Sequence, residues 1–186
     1  HREAKLAGKL AHPNVVRALE VGWHEGQPFM PMERVAGVTL QDLARRLHEM
    51  SGVLPVPSVL EILIQVLDAL DHAHRLTDAS GEPLGIVHRD VSPQNVMLSF
   101  AGEVKIFDFG VGKARGKTHQ TNPGFVKGKL AYMSPEQIRN QAVDERSDLF
   151  SVGVLAYEAL VLVHPFYGKT DAAMMRAIVE HAPPAP

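Results

Sequence analysis

Cysteine is missing from all 186 residues, which excludes disulfides and thiolate metal sites and is compatible with a cytoplasmic setting. No stretch approaches the roughly 18 uncharged apolar residues of a membrane span, and no secretory leader opens the chain. No membrane contact is therefore expected from this segment. The formal net charge of −2 supplies no basic face for a phosphate backbone, so nucleic acid is not an expected partner. Internal repeats and low-complexity blocks are also absent, apart from the proline-rich stretch His181 to Pro186. The chain starts at His1 rather than at an initiator methionine, and it reads as a fragment of a longer polypeptide. What is present, 45% hydrophobic residues, suffices for one globular domain with a core.

The informative stretch is Ile86 to Asn95, Ile-Val-His-Arg-Asp-Val-Ser-Pro-Gln-Asn, followed by Asp108-Phe109-Gly110. A carboxylate five residues before an amide, with a second carboxylate on the next hairpin, is what phosphoryl transfer requires. One carboxylate orients a hydroxyl, and two hard oxygen donors hold Mg²⁺. In order and spacing these residues resemble the H-R-D-x-x-x-x-N catalytic loop and the D-F-G of the protein kinases, and Ser134-Pro135-Glu136 stands where that family has A-P-E. The chain is similar to a bacterial-type serine/threonine protein kinase catalytic domain, truncated at both ends. The resemblance implies a two-lobed α+β fold. Residues 1–35 would be a remnant of the N-terminal lobe, with the end of a helix, two strands and the hinge. Residues 36–186 would be the helical C-terminal lobe without its last helices.

The same resemblance assigns roles. Asp90 would be the catalytic base, and Asn95 and Asp108 the Mg²⁺ ligands. Glu3 would pair with the lysine that holds the ATP phosphates. Met32 would be the gatekeeper beside the adenine, with Glu33 and Val35 offering backbone groups to its edge and Met97 lying beneath the ring. Asp148 would bond the catalytic-loop backbone, and Glu136 would lack the arginine that partners it in the family. A phosphate on Thr121, or on Thr118, could pair with Arg89. ATP, Mg²⁺ and protein substrates are implied, with a possible dimer through the parent protein.

Two positions depart from the family. Two residues after the base, a lysine is replaced by Ser92; in the loop that receives the substrate, Gly-Thr is replaced by Gly128-Lys129. These family positions face each other beside the base, so a cation and a hydroxyl are expected to have changed places, with Lys129 in the catalytic set. No glycine-rich phosphate loop or partner lysine precedes Glu3, and the only G-x-G is Gly110-Val111-Gly112. Activity is therefore expected of a longer polypeptide rather than of these residues alone. The alternative is a pseudokinase or nucleotide-binding scaffold, favoured by Ser92 and opposed by the retention of Asp90, Asn95 and Asp108.

Local patterns fill in the elements. Val15 to Val21 and Phe29 to Val35 read as a hairpin around a loop, Gly22 to Pro28. Thr39 and Ser58 read as helix caps, the second opening a helix with Leu60, Leu63, Ile64, Leu67 and Leu70 on its core stripe. His72 and His74 on that helix point in different directions and read as packing residues. Asn95 to Phe100 and Val104 to Phe107 read as a hairpin joined through Ala101-Gly102. Ser134 reads as the cap of a short helix, Ser147 as the cap of an apolar helix reaching Val163, and Thr170 as the start of a last helix to Glu180.

Overall fold

The computed structural model describes residues 10–19, 22–25, 27–109 and 129–185. Strands β1 (Gly22–His24) and β2 (Gln27–Phe29) form an antiparallel hairpin. A second antiparallel sheet has the order β3 (Gly37–Thr39), β4 (Val96–Ser99), β5 (Val104–Ile106). Among the described residues five helices follow in chain order: α1 (Leu40–Glu49), α2 (Val56–His74), α3 (Pro135–Ile138), α4 (Glu145–Val161) and α5 (Asp171–Glu180), with 3₁₀ turns at Pro93–Asn95 and Leu130–Tyr132. Small antiparallel sheets beside a mainly helical body give the α+β class. Among the described residues no helix is long and apolar enough to cross a membrane.

The expected first hairpin is present, but its regular ladder lies at the tip, within the stretch expected to be the loop. Nearer the base, the pairing is reduced to isolated bonds, Leu19 N–H to the Pro31 carbonyl at 2.8 Å and Glu33 N–H to the Arg17 carbonyl at 2.9 Å. Proline explains the thinning: Pro31 accepts but has no N–H to give back. At the next sheet, Gly37 packs so closely on β4 that a Cβ there would meet the Leu98 carbonyl oxygen at 2.1 Å. Only glycine fits at that crossing.

Helix α2 is the core element. Its buried face is Val59, Ile62, Leu63, Val66, Ala69, Leu70 and Ala73, at the spacing of a single helical stripe. Of the expected stripe only Leu63 and Leu70 are buried; Leu60, Ile64 and Leu67 are exposed. Side-chain size misled the expectation. The helix is apolar almost all round, and the small Ala69 and Ala73, both fully buried, mark the core-facing side. A fully buried leucine such as Leu70 contributes roughly 1.5–3 kcal/mol relative to exposure.

Three expected caps form. Thr39 accepts from Asp42 N–H, Ser134 makes a reciprocal capping box with Gln137, and Thr170 accepts from Ala173 N–H. Two others do not. Helix α2 begins before Ser58, after Pro55 and with a proline in its first turn. Helix α4 is capped by Asp144, which accepts from Arg146 N–H, because Ser147 lies inside the first turn and donates its hydroxyl to Glu136 instead. A satellite cluster, Val154, Phe166, Ala177 and Ile178, seats α5 against α4.

Candidate active site

The turn Val87 to Asp90 leads the chain to its candidate base, and its shape is set from a distance. Asp148, in the first turn of α4, is fully buried and accepts from three donors: His88 N–H at 2.8 Å, Arg89 N–H at 2.7 Å and His74 Nε2 at 2.8 Å. A carboxylate removed from water is tolerable only when its lone pairs are so occupied. The expected bond from Asp148 to the loop backbone is therefore present. His74, expected only to pack, is the third donor. Arg89 takes a left-handed backbone, φ 66°. Strain of this kind persists where surroundings over-determine it, and here Gln137 Nε2 also donates to the Arg89 carbonyl at 2.8 Å.

His88 joins the catalytic loop to the second carboxylate's strand. Its Nδ1 accepts from Asp90 N–H at 3.2 Å, so Nε2 carries the proton and donates to the Phe107 carbonyl at 3.0 Å. Burial holds its pKa below the ordinary histidine value, against the pull of Asp148, the Phe107 carbonyl, Asp90 and Asp108. The ring is neutral and rests on Phe109, with centroids 4.5 Å apart. Both side chains are architectural, as their place in the motifs implies.

Asn95 ends a 3₁₀ turn and is nearly buried, at 4% exposure. Its Nδ2 donates to the Asp90 carbonyl at 2.7 Å, which leaves Oδ1 as the acceptor of the amide. Phe107 N–H donates to the Asn95 carbonyl at 3.1 Å, tying the strand that carries Asp108 to the loop that carries Asn95. Asp108 is exposed, has a left-handed backbone with φ 61°, and its carboxylate makes no hydrogen bond or ion pair among the described residues. An amide oxygen and an uncommitted carboxylate, brought together by one backbone bond, are a hard-oxygen donor set that fits Mg²⁺. Among the described residues no group of three or more His, Cys, Asp or Glu could hold a metal alone. Two ligands with the remaining positions open is how Mg²⁺ binds when phosphate oxygens complete its shell.

Lys129 reaches the base. Its Nζ lies 2.5 Å from Asp90 Oδ2. Ser92, by contrast, is 1% exposed and its hydroxyl has no partner among the described residues. Of the expected exchange, the cation has arrived beside Asp90, but the Ser92 hydroxyl bonds neither Asp90 nor Lys129.

The candidate nucleotide wall is more loosely built. Met97 lies mid-strand in β4, opposite Thr39 and Lys105, and is partly buried. Met32 is 47% exposed. Glu33 uses its backbone N–H on the Arg17 carbonyl, so it can offer the adenine edge only its carbonyl. Its side chain is anchored to Lys105 Nζ at 2.8 Å, and that bond, opposed by burial and helped by Arg17, lowers its pKa below the ordinary carboxylate value. Val35 is partly buried beside it. Glu3, Thr118, Thr121, Gly110 and Gly128 lie outside the described residues.

Beneath the site, Glu136 has found a partner within the chain. It accepts from the Ser147 hydroxyl, and although burial raises its pKa, the bonds from Ser147, its own backbone and Ser134 bring it below the usual value. Gln137 was legible as the third residue of a capping box, but nothing in the sequence signalled its reach to Arg89. No pattern pointed to His74 as a donor either.

The protein kinase domain family model matches residues 1–183, so the chain belongs to the protein kinase family. Within it, the chain is 44% identical over 178 residues to the tyrosine-protein kinase MasK of Myxococcus xanthus, covering 96% of this chain and 28% of that protein. It is 40% identical over 191 residues to a probable serine/threonine-protein kinase of Streptomyces coelicolor, covering 100% and 27%. It is 36% identical over 193 residues to the serine/threonine-protein kinase PknL of Mycobacterium tuberculosis, covering 98% and 45%. The chain thus spans between about a quarter and a half of the length of these relatives.

Proposed function

We propose that these residues form the catalytic part of a longer, cytoplasmic protein kinase that transfers the γ-phosphoryl group of ATP to serine and threonine hydroxyls of protein substrates. The observation that carries this reading is the Asn95 Nδ2 bond to the Asp90 carbonyl, which ties a hard-oxygen ligand to the residue bearing the candidate base. Asp90 orients the acceptor hydroxyl and receives its proton. Asn95 Oδ1 and the Asp108 carboxylate would hold Mg²⁺, which would offset the charge on the phosphate oxygens. Met32, Met97, the Glu33 carbonyl and Val35 line the adenine. The dimer, if formed, uses parts of the parent protein beyond this segment.

A scaffold without turnover has no use for Asp90, Asn95 and Asp108 together. The name of the Myxococcus relative gives tyrosine as the competing acceptor. Both are tested in the complete kinase polypeptide. Asp90→Asn is expected to lower turnover by roughly 10²- to 10⁴-fold, and phosphoamino-acid analysis of the product to find phosphoserine or phosphothreonine. Unchanged turnover removes Asp90 from the chemistry. Phosphotyrosine alone overturns the acceptor class.

A further inference from the structure

The wall facing the catalytic loop carries a cation where the loop, from the candidate base onward, has none. From Asp90 to Asn95 there is no lysine or arginine, and the residue two after the base is Ser92, short, buried and with its hydroxyl unpartnered among the described residues. Across from it, Lys129 extends to Asp90 Oδ2 at 2.5 Å; the two side chains are 26% and 9% exposed. An ion pair so placed is poor value for stability, since desolvation offsets much of the attraction. Its location makes chemical sense instead: the acceptor hydroxyl, the base and the transferring group must all converge at Asp90.

We infer that Lys129 is a catalytic residue of the transfer, supplying from the segment after residue 128 the positive charge that the loop from Asp90 to Asn95 lacks. This rests on the kinase reading above. In the step it serves, the acceptor oxygen forms a bond to the γ-phosphorus as the bond from that phosphorus to the bridging β,γ-oxygen breaks. The electron pair leaves with ADP, and the acceptor's proton passes to Asp90. The Lys129 ammonium steadies the Asp90 carboxylate and lies within reach of the γ-phosphoryl oxygens, where preorganised charge is most effective. Lys129 belongs to a stretch held against the loop by Gln137, through the Arg89 carbonyl. The site's cation is therefore present only when that stretch is docked.

The test uses the complete kinase polypeptide and binding rather than turnover. Calorimetric titration with MgATP and MgADP compares the unaltered protein with Lys129→Met and Lys129→Arg. A charge contact to the γ-phosphoryl predicts that Lys129→Met weakens MgATP by about 10-fold or more while MgADP changes by less than about twofold, and that Lys129→Arg recovers most of the loss. In the unaltered protein, ATP acylated on its γ-phosphate should transfer the acyl group to Lys129, detected by peptide mass spectrometry and suppressed by excess MgATP. Equal weakening of both nucleotides, or no effect on either, overturns the proposal. So does labelling elsewhere with Lys129 untouched, an outcome independent of how the variants fold. If the unaltered protein binds neither nucleotide, the kinase reading itself fails; if it binds both and Lys129 is indifferent, only this inference falls.

Discussion

The catalytic loop, residues 86–95, and the hinge-side hairpin, residues 15–35, are built in opposite ways. The loop is largely buried and pinned by side chains: Asp148 and Gln137, from far along the chain, bond its backbone, and its own His88 imidazole bonds the backbone beside the adjoining strand. The hairpin is held largely by backbone bonds between its own two arms, and it leaves Trp23 67%, Phe29 49% and Met30 44% exposed. Side chain-to-backbone bonds fix a position to a fraction of an ångström; a short ladder fixes only a direction. Placement of reacting groups needs the first, since small misplacements are costly in rate. An adenine edge read by backbone groups makes do with the second.

The contrast predicts where substitutions hurt. Asp148→Ala should be the most damaging, leaving two buried N–H groups and His74 without their acceptor, for a loss of roughly 3–5 kcal/mol in urea unfolding. A loss under about 1 kcal/mol would show the loop to be as loosely held as the hairpin. Gln137→Ala removes both the reciprocal cap bond and the tie to Arg89. It should cost about 1–2 kcal/mol and speed amide exchange in residues 88–90 beyond any change in residues 22–29. Uniform acceleration in both regions would erase the distinction. At the mild end, Trp23→Gln should alter unfolding by no more than about 0.5 kcal/mol; a larger loss would reveal packing in the hairpin that its exposure denies.

The family was the most legible part of the sequence. Asp90, Asn95 and Asp108 carried the resemblance because phosphoryl transfer restricts which side chains serve and how far apart they stand. The caps at Thr39, Ser134 and Thr170 were readable for another reason: a cap and its N–H lie within one turn, so neighbouring residues decide the outcome. Longer-range features were hidden. The donor from His74 to Asp148 spans 74 residues and the Gln137 bond to Arg89 spans 48, and no local pattern records such a meeting. Ser147 was a sound local candidate for a cap until Asp144, three residues earlier, took the role and Glu136 claimed the serine hydroxyl. The stripe on α2 was misjudged because Leu60, Ile64 and Leu67 are larger than Ala69 and Ala73. Close helix packing selects for small side chains at the contact rather than for greasiness.

The Asp148 clamp also sets an order of events during synthesis. His88 leaves the ribosome 60 residues ahead of the carboxylate that fixes its backbone. At about 5–20 residues per second, that gap lasts roughly 3 to 12 seconds. Through that interval the nascent chain already carries Asp90, Asn95 and Asp108, yet the turn that leads to them has no acceptor to hold it. The clamp makes the ordering of this turn a late property of the growing chain, gained only once the first turn of α4 has emerged and packed.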